Sequence, residues 1–333
     1  MKLQGPVAFG MLATPFNADG SLDEEGIRAH VGKVADSGCG VYLGSGGSGE
    51  GQALSLSEIS RVYELGVEVC SGRVPTCAIP PEPRTANAMI LVAKAAAAAG
   101  VDLVQIYLVD AGHAMRPTPR ELEHYLRTVL DAVDHPIALS VHVHSYANYQ
   151  PRPTMFAKLC EDYPQIRAIN VIDTPLAYYV ELMDAVGPRI DLYTGVRQVL
   201  EGLPMGAAGY LAAEPNIAPY LCRSVIEHFI RGETEACAKA VANILRLQTI
   251  VNRWAPANPR WIKMAMKVLD LPGGNGVLRP PYLLPDQTEL DELARALDAF
   301  GLRRIEEAAR VVCERTSQES GSRRDPAKLS PTE

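Results

Sequence analysis

Along the first two thirds of the chain, short apolar, β-rich runs alternate one for one with longer amphipathic stretches, and this restricts the fold more than any other feature. The β-rich runs are Val7–Ala13, Gly40–Gly44, Pro75–Ile79, Leu103–Leu108, Ile137–Val143, Ile166–Val171, Asp191–Thr194 and Gly209–Ala213. Between them, Asp23–Ser37, Leu56–Cys70, Thr85–Ala99, Pro119–Val133 and Thr154–Asp162 have helical periodicity. A strand followed by a helix, repeated, demands parallel strands joined by helical crossovers. Eight units before Ala213 suit a closed (β/α)8 TIM barrel, a class of about 250 residues. A doubly wound open sheet is the alternative, but no G-x-G-x-x-G follows the first run to support it.

Helix boundaries support this reading. Ser55 and Glu58 have capping-box spacing, and Pro119 suits a first helical residue, where a missing N–H costs nothing. Beyond the eighth run, helical patterns cover Pro219–Arg231, Thr234–Trp254, Trp261–Leu269 and Thr288–Arg315. The expected division is a barrel over 1–217, an appended C-terminal helical region over 218–316, and a polar, disordered tail over 317–333.

Composition narrows the function classes. A net charge of −7 without a basic cluster argues against a nucleic-acid partner. Seven cysteines lie dispersed with no C-x-x-C pair, so free buried thiols are expected rather than disulfides or a zinc site. No apolar run approaches the roughly 20 residues of a membrane span, and Met1–Gly10 does not read as a signal peptide. The expectation is a cytoplasmic protein with no membrane contact.

A barrel of this class places its chemistry at the C-terminal strand ends. The second run ends in Gly44-Ser45-Gly46-Gly47-Ser48-Gly49-Glu50, whose backbone N–H groups at Gly47 and Ser48 can hold a carboxylate, or which is simply a loop needing glycine. On the fifth run, Ser140, His142 and His144 share one face. The two imidazoles can be hydrogen-bonded pocket residues, acid–base groups, or metal ligands completed by Asp110, Asp173 or Glu50. Asn170 faces inward on the sixth run and can orient a carbonyl, or merely satisfy the strand end. Arg197 can meet a ligand carboxylate or a structural acid, and Asp110 at the fourth strand end is a further ligand contact.

Several segments carry a more specific resemblance. Thr14-Pro15-Phe16 with Asp19-Gly20-Ser21-Leu22-Asp23, Gly46-Gly47-Ser48-Gly49-Glu50, Gly72-Arg73-Val74-Pro75 and Asn216-Ile217-Ala218-Pro219 resemble motifs of the dihydrodipicolinate synthase and N-acetylneuraminate lyase family. In the second of these, Gly47 and Ser48 replace the two threonines of the family's G-T-T-G-E. The correspondence runs from about Gly5 to Leu284.

The resemblance implies a Schiff base between a sixth-strand lysine and a 2-oxo acid. That position falls on Asn170, and no lysine occurs between Lys158 and Lys239. The family's fifth-strand tyrosine falls on Ser140, and its fourth-strand Tyr-Tyr loop falls in Val109-Asp110-Ala111-Gly112-His113. An amide cannot replace a covalent amine. The resemblance therefore implies a lyase-like barrel with a degenerate form of the family's active site. It would bind a small 2-oxo acid or other carboxylate without Schiff-base chemistry, with no cofactor, as a homo-oligomer (tetramer or dimer). Two alternatives stay open: a catalytically silent ligand-binding or partner subunit, and a metal-dependent hydrolase or lyase built on His142 and His144.

Overall fold

The computed structural model describes residues 5–322 except 111, 113–114, 143–145, 148 and 255–258, with side chains to 315. Eight strands close a parallel barrel in sequence order: β1 (Val7–Met11), β2 (Gly40–Leu43), β3 (Thr76–Ala78), β4 (Leu103–Ile106), β5 (Ile137–His142), β6 (Ile166–Ile172), β7 (Asp191–Gly195) and β8 (Gly209–Ala212). β8 pairs with β1, so the sheet has no free edge. The strands are short, and nearly every residue is buried, because helices cover the outside and side chains fill the inside. The closed barrel agrees with the alternation in the sequence.

Each strand is followed by a helix: α1 (Glu24–Asp36), α2 (Leu56–Cys70), α3 (Ala86–Ala99), α4 (Pro119–Ala132), α5 (Pro153–Asp162), α6 (Leu176–Val186), the single turn α7 (Val199–Gly202) and α8 (Pro219–Ile230). The Ser55/Glu58 capping box forms at α2, a second joins Thr118 to Glu121 at α4, and Pro119 occupies the first turn. Packed against β1, α8 closes the outer ring, although the sequence reading assigned it to the appended region.

The appended helices are α9 (Thr234–Val251), α10 (Arg260–Val268), α11 (Gln287–Phe300) and α12 (Leu302–Ser322). One helix was expected over Thr288–Arg315, but Gly301, at φ 72°, ends α11 in the left-handed conformation that glycine adopts without strain. The following helix continues to Ser322, past the expected start of the tail at 317; residues 323–333 lie outside the described residues. It docks through Glu306, whose two carboxylate oxygens accept the backbone N–H groups of Tyr220 and Leu221, each at 2.8 Å. Those donors belong to the first turn of α8 and have no intrahelical acceptor.

The barrel interior is packed with large side chains. Phe9 meets Tyr42 at 4.9 Å and Tyr193 edge-on at 5.4 Å between ring centroids. Gly40 makes room for this cluster, since a Cβ there would stand 2.4 Å from the Phe9 ring. All seven cysteines are buried thiols.

Candidate functional site

Above the aromatic layer, inward positions on alternate strands carry polar groups. Asn170 on β6 is fully buried, and its Nδ2 donates to Gln105 Oε1 of β4 at 2.5 Å and to the Tyr42 hydroxyl of β2 at 3.3 Å. Its Oδ1 has no hydrogen-bond partner among the described residues. Ser140 pairs in register with Asn170 and is also buried, so it faces the same interior. Burial holds the Tyr42 hydroxyl well above the usual phenol range, so the tyrosine stays a neutral partner.

One layer higher the barrel opens into a cavity of about 190 Å³, to which His142, Ile172, Gly195 and Leu211 contribute from the strand ends. Gln248 and Asn252, at the end of α9, and Trp261 of α10 close its outer side. Glu214, in the turn after β8, also lines it while remaining 2% exposed. Desolvation raises the Glu214 carboxyl above its ordinary value, opposed first by its own backbone N–H, then by the Gln248 amide and more weakly by Arg197. Its Oε2 has no hydrogen-bond partner among the described residues. Glu214 was absent from the sequence candidates; its only sequence signal is a lone acid just before Asn216-Ile217-Ala218-Pro219.

The remaining candidates are dispersed around this mouth. Arg197 lines the cavity, and its Nη1 donates to Asp173 Oδ2 at 3.2 Å. Asp110 is exposed and accepts the Gly112 N–H at 3.0 Å, which ties it to its own loop. His144 lies outside the described residues. Among the described residues no group of three His, Cys, Asp or Glu side chains is arranged to hold a metal.

In the glycine-rich turn, Gly47 is exposed and Ser48 buried. A Cβ on Gly46 would lie 2.5 Å from Glu82 Oε2, so a resident carboxylate already stands beside this turn. Glu50 does not reach toward the histidines. It is fully buried, its Oε1 lies 2.5 Å from Lys263 Nζ, and its Oε2 accepts the Arg279 N–H at 3.0 Å. Arg279 also pairs with Glu58, and both cations lie over the Phe16 ring, Lys263 at 4.0 Å and Arg279 at 4.3 Å. This cluster pins the turn to the appended helices.

A larger cavity of about 730 Å³ opens at the opposite end of the barrel, beside the starts of β1, β7 and β8. Tyr179, Met183, Met205 and Phe229 line it, with Asp184 and Asp191 as its charged groups. That face of a barrel of this class reads as stability rather than chemistry.

The model of the dihydrodipicolinate synthetase family matches residues 6–300, which takes in the barrel, the mouth cavity and α9 to α11. The chain belongs to the dihydrodipicolinate synthetase family. It is thus an aldolase-like, lyase-family barrel, and α12 lies beyond the matched span.

Relatives in the family resemble it at low identity over most of their length. The 4-hydroxy-tetrahydrodipicolinate synthase of Methanothrix thermoacetophila is 29% identical over 307 residues, covering 88% of this chain and 97% of the relative. The synthase of the same name from Methanococcus aeolicus is 25% identical over 296 residues, covering 88% and 98%. Two solved structures share the fold: dihydrodipicolinate synthase from Aquifex aeolicus, with a TM-score of 0.78 at 20% identity, and the E. coli K12 prophage protein YagE in complex with pyruvate, with 0.78 at 21%. Each covers 90% of this chain and is itself covered to 99%. Among the described residues, no helix is long and apolar enough to cross a membrane.

Proposed function

We propose that this family member binds a small 2-oxo acid or related carboxylate at the barrel mouth and acts on it as a lyase without forming a Schiff base. The observation that carries this reading is Asn170. It occupies the position to which the resemblance assigns the lysine, and its amide is engaged with Gln105 and Tyr42. Strand β6 contains no lysine, and Lys263, from the appended helices, is committed to Glu50. With no amine to form an iminium, charge developing on the substrate oxygen must be met by hydrogen bonds.

In this reading Ser48 and the backbone of Gly47 hold the carboxylate, Ser140 polarises the ligand from below, and Asn170 orients it by offering its Oδ1, unpartnered among the described residues, as an acceptor. His142 moves protons, with His144 as its companion. Arg197 and Asp110 border the entrance, and the protein works as a homo-oligomer. A cavity of about 190 Å³ at the strand ends suits a small acid.

The test is a thermal-shift panel of pyruvate, longer 2-oxo acids, aldehydes and plain carboxylates, since a ligand bound only by the native state raises its melting temperature. A saturable shift with a 2-oxo acid that is lost in Ser48→Val supports the reading. No shift across the panel contradicts it.

A further inference from the structure

The mouth cavity contains an acid whose surroundings suit it to a task the functional reading leaves unassigned. Cleaving a carbon–carbon bond beyond C3 of a 2-oxo acid drives an electron pair toward the 2-oxo oxygen. In the absence of an iminium, that oxygen needs a proton donor. The donor must reach the cavity, carry a proton near neutral pH and have an unengaged oxygen.

Glu214 has the position and the unengaged oxygen, and burial shifts its carboxyl in the direction that retains the proton. It follows β8, lines the same cavity as His142, is 2% exposed, and leaves Oε2 without a hydrogen-bond partner among the described residues. An orphaned polar atom in a buried side chain costs free energy unless a ligand or water completes it. The facing charged and titratable groups are His142 from β5, Asp173 after β6, Arg197 after β7, Tyr210 of β8 and Cys222 of α8. Arg197, the cation among them, is paired with Asp173, so it does little to hold Glu214 ionised. Burial dominates and favours the neutral acid.

We propose that Glu214 is the hydrogen-bond and proton donor to the 2-oxo oxygen of the bound acid, opposite His142, which serves as the base. This rests on the functional reading above. For a 4-hydroxy-2-oxo acid the step balances without a co-reactant. His142 takes the 4-hydroxyl proton, the C3–C4 bond breaks to leave an aldehyde, and its electron pair forms the C2–C3 double bond as Glu214 protonates the 2-oxo oxygen. The enol then returns its proton to the Glu214 carboxylate while the His142 imidazolium protonates C3, releasing the shorter 2-oxo acid and restoring both groups.

The test compares wild type, Glu214→Gln and Glu214→Leu in two measurements. One is cleavage of 4-hydroxy-2-oxoglutarate, and the other is the infrared carbonyl stretch of bound pyruvate labelled with carbon-13 at C2. The expected result is a kcat loss of about 100-fold or more in Glu214→Gln with KM little changed, since proton transfer of this kind contributes about 10²–10⁴-fold. The alkaline limb of the wild-type kcat profile should also vanish, and the carbonyl stretch should move toward its free value in Glu214→Leu. Cleavage and stretch that match wild type in both variants overturn the role of Glu214 and leave the functional reading standing. A wild type that cleaves nothing but whose pyruvate stretch depends on Glu214 supports the donor and overturns the lyase reading. Pyruvate that does not bind overturns both.

Discussion

Asn170 Nδ2 and Gln105 Oε1 meet at 2.5 Å across the barrel interior, and Tyr42 completes the contact from a third strand at 3.3 Å. A lysine extending from this point of β6 would have to displace both partners or bury a cation between them. The amide thus ties β2, β4 and β6 together across the barrel interior.

Replacing Asn170 with Leu should therefore damage the fold as well as any activity. It leaves the Gln105 carbonyl and Tyr42 hydroxyl without that partner in a closed core, at about 1–3 kcal/mol for each group left unsatisfied. Urea denaturation should show the midpoint falling with an unchanged slope.

Lys263→Met should destabilise strongly, because it leaves the fully buried Glu50 carboxylate without its ion-pair partner. Breaking one side of a buried pair costs about 3–5 kcal/mol. Combining it with Glu50→Gln should recover much of the loss in the same urea experiment. A double variant no better than Lys263→Met alone would mean that the pair itself is not the source.

Glu214 makes a prediction in pH. Its carboxyl is raised above the ordinary value of 4.5, so the folded chain holds that proton to higher pH than the unfolded chain. The associated stability is fully present below the unfolded value and is lost as pH rises through the folded one. Glu214→Gln has no such loss. Its melting temperature, relative to wild type, should increase as pH rises above the ordinary carboxyl value of 4.5. A difference independent of pH would contradict the assignment of a neutral buried acid.

The last helix should matter to the barrel through one carboxylate. Glu306→Ala removes the acceptor for the first-turn N–H groups of Tyr220 and Leu221, and loss of a helix cap costs about 0.5–2 kcal/mol. Hydrogen exchange should speed first at the start of α8. Uniform acceleration across the barrel would contradict the local account.

Much of the architecture is legible in the sequence because its signals are local. Alternating apolar runs, the Ser55/Glu58 box and Pro119 each specify their own element, and the barrel follows from counting the repeats. Gly301 is harder to read, since one glycine in a helical pattern can be tolerated or can end the helix, and only its left-handed φ shows which. Strand alternation is also legible, and it places Ser140, His142 and Asn170 on the interior face of the barrel. Glu214 escapes the same logic. It sits in a turn beyond its strand, where alternation no longer orients side chains, and Gln248 and Trp261 reach it from far along the chain. Glu50 escapes in the opposite sense: its place after a glycine-rich turn suggests a ligand contact, while Lys263 and Arg279 engage it in the core.

On the proposed reading this barrel handles a 2-oxo acid without a covalent amine. Incubating the purified protein with pyruvate and borohydride, followed by intact-mass analysis, tests this, because reduction fixes any iminium to the chain. The predicted result is an unchanged mass under conditions where pyruvate still raises the melting temperature. A stoichiometric pyruvyl adduct on any lysine would contradict it.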